Sequence, residues 1–187
     1  MDDHRADDLL IKKEQSIIIV DDDIDILQLF HKKIDYLFPT CKIKSFDIIN
    51  QDFFTYIENN IIDLFVLDVR LGSCNAIELS KKILLKKPDS IFLFISGFEY
   101  NIDSFSHLKG KCIYDYMSKP FTAEIFVGSI VTLLNISTTY KLLRNEREEL
   151  DEIRKFYVDI LKKDKIMIDE MKIETQKLQE KKNSCFI

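Results

Sequence analysis

The chain has 187 residues and a mass of 22.1 kDa, which suits one domain and an extension. It is 46% hydrophobic, so it can bury a core, and its net charge of −5 disfavours a nucleic-acid-binding domain. No uninterrupted apolar run approaches the roughly 18 residues of a membrane span, and the acidic start lacks the features of a signal peptide. We expect a cytoplasmic protein with no nucleic-acid or membrane partner.

Five short runs rich in apolar and β-branched residues predict five strands. They cover residues 16–20, 41–46, 62–67, 91–95 and 112–116. The second run alternates apolar with polar residues, which is typical of a strand near an edge. The third and fourth are almost wholly apolar and suit the centre of a sheet.

Apolar residues spaced three and four apart predict a helix after each strand, although the pattern between Tyr100 and Leu108 is weak. The candidate N-caps of the second, third and last helices are Asn50 or Asp52, Asn75 (with Glu78 as in a capping box) and Thr122. Alternating strands and helices predict a parallel sheet with helices on both faces.

Polar side chains follow four of the predicted strands. They are Asp21, Asp22 and Asp23 after the first strand, Asp68 after the third, Ser96 after the fourth and Lys119 after the fifth. Because the carboxyl ends of parallel strands meet at one edge of a sheet, we expect these side chains to share one cleft.

This set of side chains indicates phosphoryl-transfer chemistry. Two carboxylates 4 Å apart repel by about 4 kcal/mol at an effective dielectric constant of ~20, so the cluster calls for a cation such as Mg²⁺. The Lys119 ammonium and the Ser96 hydroxyl suit the equatorial oxygens of a phosphoryl group. The remaining carboxylate can act as the nucleophile.

Four segments resemble the receiver domain of two-component response regulators, over about residues 15–138. They are IIIVDDD at 17–23, DLFVLDVRLG at 63–72, FISG at 94–97 and DYMSKPF at 115–121. The resemblance implies an α/β, flavodoxin-like (βα)5 fold, doubly wound around a parallel five-stranded sheet of order 2-1-3-4-5. It also implies phosphorylation by a histidine kinase or a phosphotransfer protein.

The resemblance assigns a role to each site residue. Asp68 would be the phosphoacceptor, and it would hold Mg²⁺ together with Asp21, Asp22 and the backbone carbonyl of Arg70. Asp23 would instead cap the first helix.

On the same basis, Lys119 would pair with the phosphoryl group and Ser96 would move towards it. Tyr116 would be the switch aromatic, or else a packing residue. Phe98 would hinder the hydrolytic water, or else point away. Two departures alter the loop after Asp68: Gly72 stands where the family usually has proline, and Asn75-Ala76 replaces a common Asp-Gly.

The C-terminal part of the chain predicts one long helix that leaves the domain near residue 138, because Gly128 is its only helix-weakening residue up to about residue 182. Apolar residues follow a heptad seam there, which predicts a coiled coil. The seam residues are Ile136, Tyr140, Leu143, Leu150, Tyr157, Leu161, Ile168, Met171 and Leu178, and the interruptions are Arg147, Arg154 and Asp164. One interpretation is a parallel homodimer; the alternatives are a solvated helix or one folded back on itself.

These observations predict a leader over 1–15, a receiver domain over 16–138 and a helical extension over 139–187. The predicted protein is a phosphoacceptor that promotes its own phosphoryl transfer and hydrolysis, not an enzyme. A phosphorylation-independent scaffold is the alternative. A Mg²⁺-dependent phosphohydrolase would need a further acid or base and a substrate cap, which the sequence does not provide. The scattered cysteines form no CxxC pair, so we expect free thiols and no zinc site.

Overall fold

The computed structural model describes residues 14–72, 74–97, 105–106 and 108–184, with side chains as far as residue 177. Its strands are β1 (Ser16–Val20), β2 (Lys42–Phe46), β3 (Leu64–Asp68), β4 (Arg70–Leu71), β5 (Cys74–Asn75), β6 (Ile91–Ser96) and β7 (Ile113–Ser118). Its helices are α1 (Ile24–Leu37), α2 (Gln51–Asn59), α3 (Ala76–Lys86) and α4 (Ala123–Ser184).

The five longer strands form a single parallel sheet of order β2-β1-β3-β6-β7. When only these five strands are numbered along the chain, their order in the sheet is 2-1-3-4-5, so the predicted flavodoxin-like fold is confirmed. The alternating strand β2 lies at an edge and the apolar strand β3 lies at the centre, as predicted. Strands β4 and β5 form an antiparallel pair that the sequence did not predict.

Helices cover both faces of the sheet because alternate residues of each strand point to opposite sides. Ile17 and Ile19 of β1 belong to a core cluster with residues of α1 and α4. Ile18 and Val20 belong to a second cluster with residues of α2 and α3. This arrangement leaves the carboxyl-terminal edge of the sheet to the loops that carry the predicted site.

The helix starts follow the predicted caps. The Asp23 carboxylate accepts hydrogen bonds from the backbone N–H groups of Asp25 and Ile26, so Asp23 caps α1 as expected. Asn50, and not Asp52, caps α2, and Asn75 caps α3. The helix expected between Tyr100 and Leu108 falls largely outside the described residues.

Helix α4 takes part in both compact units into which the chain divides, the first ending at Tyr140 and the second beginning at Lys141. In the first unit, Phe126, Ile130 and Leu134 are buried in the core. Gln15, assigned to the leader by the sequence, is also buried and donates to the carbonyl of Leu134. The division at residue 138 and the leader over residues 1–15 stay predictions.

Part of α4 is apolar enough to bear on the expected absence of a membrane-spanning segment. Within Ala123–Lys177, an 18-residue window of α4 reaches a mean hydropathy of 1.3, which is apolar enough for a span by length and composition. Of that window, 28% is buried inside the protein. A helix that packs on a core passes the same test, so one such window is weak evidence for a membrane protein.

Candidate functional site

The parallel register brings the ends of β1, β3 and β7 to one edge of the sheet. Val20, just before Asp21, lies opposite Leu67, just before Asp68. Asp68 lies opposite Ile95, and Ser118, just before Lys119, lies opposite Ser96. Residues far apart in the sequence therefore meet at the same level of the sheet.

Lys119 joins the two carboxylates at this edge. Its Nζ lies 2.7 Å from Oδ1 of Asp68 and 3.4 Å from Oδ2 of Asp21. These two oxygens are consequently no more than 6.1 Å apart. At that separation or less, two carboxylates repel by at least about 3 kcal/mol at an effective dielectric constant of ~20, and the nearby ammonium offsets this repulsion.

Burial and charge act together on these groups. Burial raises the pKa of Asp21 above its usual value, and the neighbouring Asp68 charge adds to this, against the hydrogen bond from Asp23 and the charge of Lys119. Burial alone would lower the pKa of Lys119, but the hydrogen bond to Asp68 and the charges of Asp21 and Asp68 raise it. Lys119 is therefore a fixed cation at physiological pH.

Asp68 has both carboxylate oxygens engaged. Oδ1 accepts from Lys119, and Oδ2 accepts a hydrogen bond of 2.8 Å from the backbone N–H of Arg70. The Asp68 side chain is 11% exposed, so one side remains open to solvent. This arrangement holds the carboxylate in one orientation while leaving it accessible to a small reactant.

Asp22 binds the loop after Asp68. Its Oδ2 accepts a hydrogen bond of 2.9 Å from the backbone N–H of Gly72, a residue whose φ is +55°. A proline at position 72 would have no N–H to donate and could not adopt this φ. The sequence signalled this contact only as a departure from the usual proline, and the contact itself was not predicted.

The predicted magnesium ligands are not grouped as a cluster. Within the part of the chain that the structure describes, no three His, Cys, Asp or Glu side chains form a group that could hold a metal ion. Lys119 lies between Asp21 and Asp68, and Asp22 is bound to Gly72, which accounts for this arrangement. The carboxylates are nevertheless the hard oxygen donors that suit Mg²⁺.

Ser96 and Tyr116 lie on the same side of the sheet. Phe94 is opposite Tyr116 in the register, and both belong to the core cluster that contains α2 and α3. Ser96, two residues after Phe94, therefore points to that side as well. The Ser96 side chain is buried, and the Tyr116 ring packs 5.7 Å from the ring of Phe105.

Lys119 is also fixed through its backbone, because its N–H donates a hydrogen bond of 2.6 Å to the carbonyl of Ser96. Phe98 lies outside the described residues. The cysteines within the described residues, Cys41, Cys74 and Cys112, are free thiols. Burial raises the pKa of Cys41 and of Cys112 to about 11, so neither is a ready nucleophile.

Solved structures with the same fold are receiver domains. A CheY-like receiver domain protein from Methanospirillum hungatei JF-1 is 20% identical, with a TM-score of 0.59 over 68% of this chain and 99% of that one. The response regulator TrrA from Thermotoga maritima, solved in complex with Mg²⁺-BeF, is 18% identical, with a TM-score of 0.53 over 64% and 98%. At these identities the likeness shows the fold.

A third similar structure is the beryllofluoride-activated NtrC4 receiver domain dimer, which is 20% identical, with a TM-score of 0.56 over 65% of this chain and 98% of that one. No curated protein matches the sequence. The family model described as the response regulator receiver domain matches residues 17–130, which is more than half of the chain. The chain therefore belongs to the response regulator receiver domain family.

Proposed function

We propose that Asp68 accepts a phosphoryl group from a histidine kinase or a phosphotransfer protein. The observation that carries this proposal is the position of Lys119, whose Nζ lies 2.7 Å from Oδ1 of Asp68 at the open edge of the sheet. Asp68 supplies the nucleophile and Lys119 supplies a fixed positive charge beside it. An aspartate so placed can form an acyl phosphate.

The transfer forms one bond and breaks one bond. A carboxylate oxygen of Asp68 attacks the phosphorus of the phosphohistidine, and the N–P bond breaks as the new O–P bond forms. The departing imidazole keeps the electron pair of the N–P bond and takes a proton from solvent. The ammonium of Lys119 stabilises the charge on the phosphoryl oxygens, after it leaves its present contact with Oδ1.

Mg²⁺ fits the donor set of this edge, because the buried carboxylate of Asp21 and the partly exposed carboxylate of Asp68 lie within 6.1 Å of each other, and burial already raises the pKa of Asp21. Asp21 and Asp68 would hold the ion, together with Asp22 and the backbone carbonyl of Arg70. When bound, the ion would neutralise charge on the incoming phosphoryl group. Asp22 would then share its carboxylate between the ion and the N–H of Gly72.

Phosphorylation adds a charge of about −1.5 to −2 next to Asp68. In our proposal this charge draws the Ser96 hydroxyl and Lys119 inwards, and the Tyr116 ring follows into the space beside Ser96. The common face of Ser96 and Tyr116 supports a coupling between these two side chains. The signal then leaves through α4, which lies against the same sheet.

The proposed output is a change in association of the C-terminal helix with a second copy of the chain. We place the protein in the cytoplasm, where its kinase partner would act. The protein promotes its own phosphoryl transfer and hydrolysis and turns over no separate substrate. A phosphorylation-independent scaffold of the same fold would use the same surfaces without any chemistry at Asp68.

The test is incubation of the full chain with Mg²⁺ and a small phosphodonor such as acetyl phosphate, followed by intact mass measurement. We expect one added phosphoryl group, its loss in Asp68→Ala, and its retention in Asp35→Asn, which removes an exposed carboxylate from α1. Chelation of the metal should lower the yield. An unmodified wild-type chain, from the small donor and from phosphohistidine protein alike, would favour the scaffold.

A further inference from the structure

The second compact unit, from Lys141 onwards, presents an exposed apolar stripe. Six of the heptad-seam residues are each between 51% and 66% exposed; they are Leu143, Leu150, Tyr157, Leu161, Ile168 and Met171. Apolar stripes of this extent mark surfaces that bind another protein, since an isolated helix gains little stability from them in water.

This stripe is wider than the seam predicted from the sequence. Ile153, Ile160 and Met167 each directly precede a seam position, and each is between 37% and 57% exposed. Together with the seam they place eight apolar residues between positions 150 and 171, three of them in the central heptad 157–163. A face of this width needs an extensive helical partner.

The charges on the stripe restrict how a second copy can bind. Arg147, Arg154 and Asp164 occupy seam positions within the stripe, and all three are exposed. Ion pairs between described side chains join Arg144 to Glu148, Asp159 to Lys162 and Asp169 to Lys172, so none of these uses Arg154 or Asp164.

A parallel pair of helices in register would place like charges together. Arg154 would face Arg154 of the other copy, and Asp164 would face Asp164 of the other copy. Like charges at such central positions oppose association. The parallel homodimer suggested by the heptads alone is therefore disfavoured.

An antiparallel pair of helices, with its twofold axis at the level of Asp159, removes this repulsion between like charges. Arg154 and Asp164 each lie five residues from Asp159, so each Arg154 faces Asp164 of the other copy. In the same register Tyr157 faces Leu161 and Leu150 faces Ile168, whereas further out Met171 faces Arg147 and Leu143 faces Thr175. A dimer would contain two such ion pairs, related by its twofold axis.

We propose that two copies of this chain associate through an antiparallel pairing of their C-terminal helices about Asp159, with the Arg154–Asp164 pairs setting the register. This rests on the self-association proposed above, and it does not depend on phosphoryl transfer. A membrane surface is a poorer match, because residues 141–187 carry 12 basic and 11 acidic side chains.

The charged residues that flank the seam fit this antiparallel register near Asp159, and they fit it less well towards the ends of the paired segment. Asp151 of one copy lies on the same flank as Lys165 of the other, which adds an opposite-charge pair. Like-charged pairs remain further out, Arg144 with Lys172 and Glu146 with Glu174. Exposed pairs of this kind are worth only about 0–1 kcal/mol, so they weigh less than the central pairs.

The first experiment reverses the central charges and measures the dimer dissociation constant of the full chain by sedimentation equilibrium. Arg154→Glu and Asp164→Arg should each weaken the dimer by about tenfold or more. The double variant should return to within about threefold of the wild type, because each new pair is again opposite in sign. Lys155→Glu, which changes an exposed charge away from the stripe, should have little effect.

The second experiment measures a distance. A spin label is placed at Asn145→Cys in a full chain whose four cysteines are replaced and whose circular dichroism matches the wild type. The antiparallel register separates the two labels by 28 residues along the helices, or about 42 Å at 1.5 Å per residue. A parallel dimer would place them on adjacent helices at the same level, roughly 10–20 Å apart.

The results of these experiments distinguish between self-association, the antiparallel register and phosphorylation of Asp68. A strict monomer at high micromolar concentration overturns both self-association and the antiparallel register. A dimer with a short label distance, or with a double variant weaker than both single variants, overturns the antiparallel register alone. Phosphorylation of Asp68, measured by mass, stands or fails independently of either result.

Discussion

The hydroxyl of Ser137 in α4 donates a hydrogen bond of 3.0 Å to Oδ1 of Asp63, the residue that precedes β3. Oδ2 of the same carboxylate accepts a bond of 2.9 Å from the backbone N–H of Ser16, at the start of β1. Asp63 and Ser137 are both buried. This carboxylate therefore ties α4 to two central strands at the amino-terminal edge of the sheet, opposite the edge that carries Asp68.

Loss of the hydrogen bond between Ser137 and Asp63 should destabilise the domain. Ser137→Ala removes a hydrogen bond to a buried carboxylate, and we expect the free energy of unfolding to fall by about 1–2 kcal/mol in a urea titration. Thr139→Ala is the matched control, because Thr139 is exposed and bonds only within its own helix, to the carbonyl of Asn135. Equal losses in the two variants would contradict this account of Asp63.

The central strands and the closeness of Lys119 to Asp68 could both be predicted from the sequence, because both depend on the pattern of apolar runs. Apolar runs such as Leu64–Leu67 fit the interior of a parallel sheet, and the topology then brings the residues after each strand to one edge. No knowledge of side-chain contacts is needed for that step.

The contact between Asp22 and Gly72 could not be anticipated, because it depends on the left-handed backbone of one residue in a loop. The pair β4 and β5 also depends on that turn. Gln15 was assigned to a leader because a lone polar residue gives no pattern, although its amide bonds α4. Heptad spacing alone also leaves the direction of a helix pair open, because it is the same in both directions.

Two glycine-to-alanine substitutions should act in opposite directions. Gly72 has a φ of +55°, which an alanine adopts at a cost of about 1–2 kcal/mol, so Gly72→Ala should lower the melting temperature. Gly128 lies inside α4, and an added Cβ there meets nothing within 4 Å. Gly128→Ala should stabilise by about 0.5–1 kcal/mol. A neutral or stabilising Gly72→Ala would show that the turn is not held as described.

Replacement of Lys119 should have opposite effects on metal binding and on phosphorylation. Lys119→Met leaves Asp21 and Asp68 without the ammonium between them, so Mg²⁺ should bind more tightly, by roughly tenfold in a calorimetric titration. Phosphorylation by the small donor should nevertheless fall by roughly 100-fold or more, because the phosphoryl oxygens lose their cation. Lys42→Met, which removes an exposed lysine paired with Glu14, is the control for net charge. Unchanged metal affinity in Lys119→Met would contradict competition between Lys119 and the metal.

Substitution of Asp21 should raise stability while impairing the site. Burial raises the pKa of Asp21, so the folded protein favours its neutral form, and the charged form at pH 7 costs stability. Asp21→Asn removes that charge and keeps an oxygen for the N–H of Asp23. Without metal we expect a higher urea midpoint for the variant at pH 7.

That advantage should shrink as the pH falls through the raised pKa of Asp21, and it should vanish below the ordinary value of 3.8, where the side chain is neutral in the folded and unfolded chains alike. Mg²⁺ should reverse the order at pH 7, since an ion at ten times its dissociation constant stabilises the wild type by about 1.4 kcal/mol. The control is Asp35→Asn on the exposed face of α1, which should show neither effect. An Asp21→Asn variant that is less stable than the wild type in metal-free buffer would mean that the Lys119 contact outweighs the cost of burying the carboxylate.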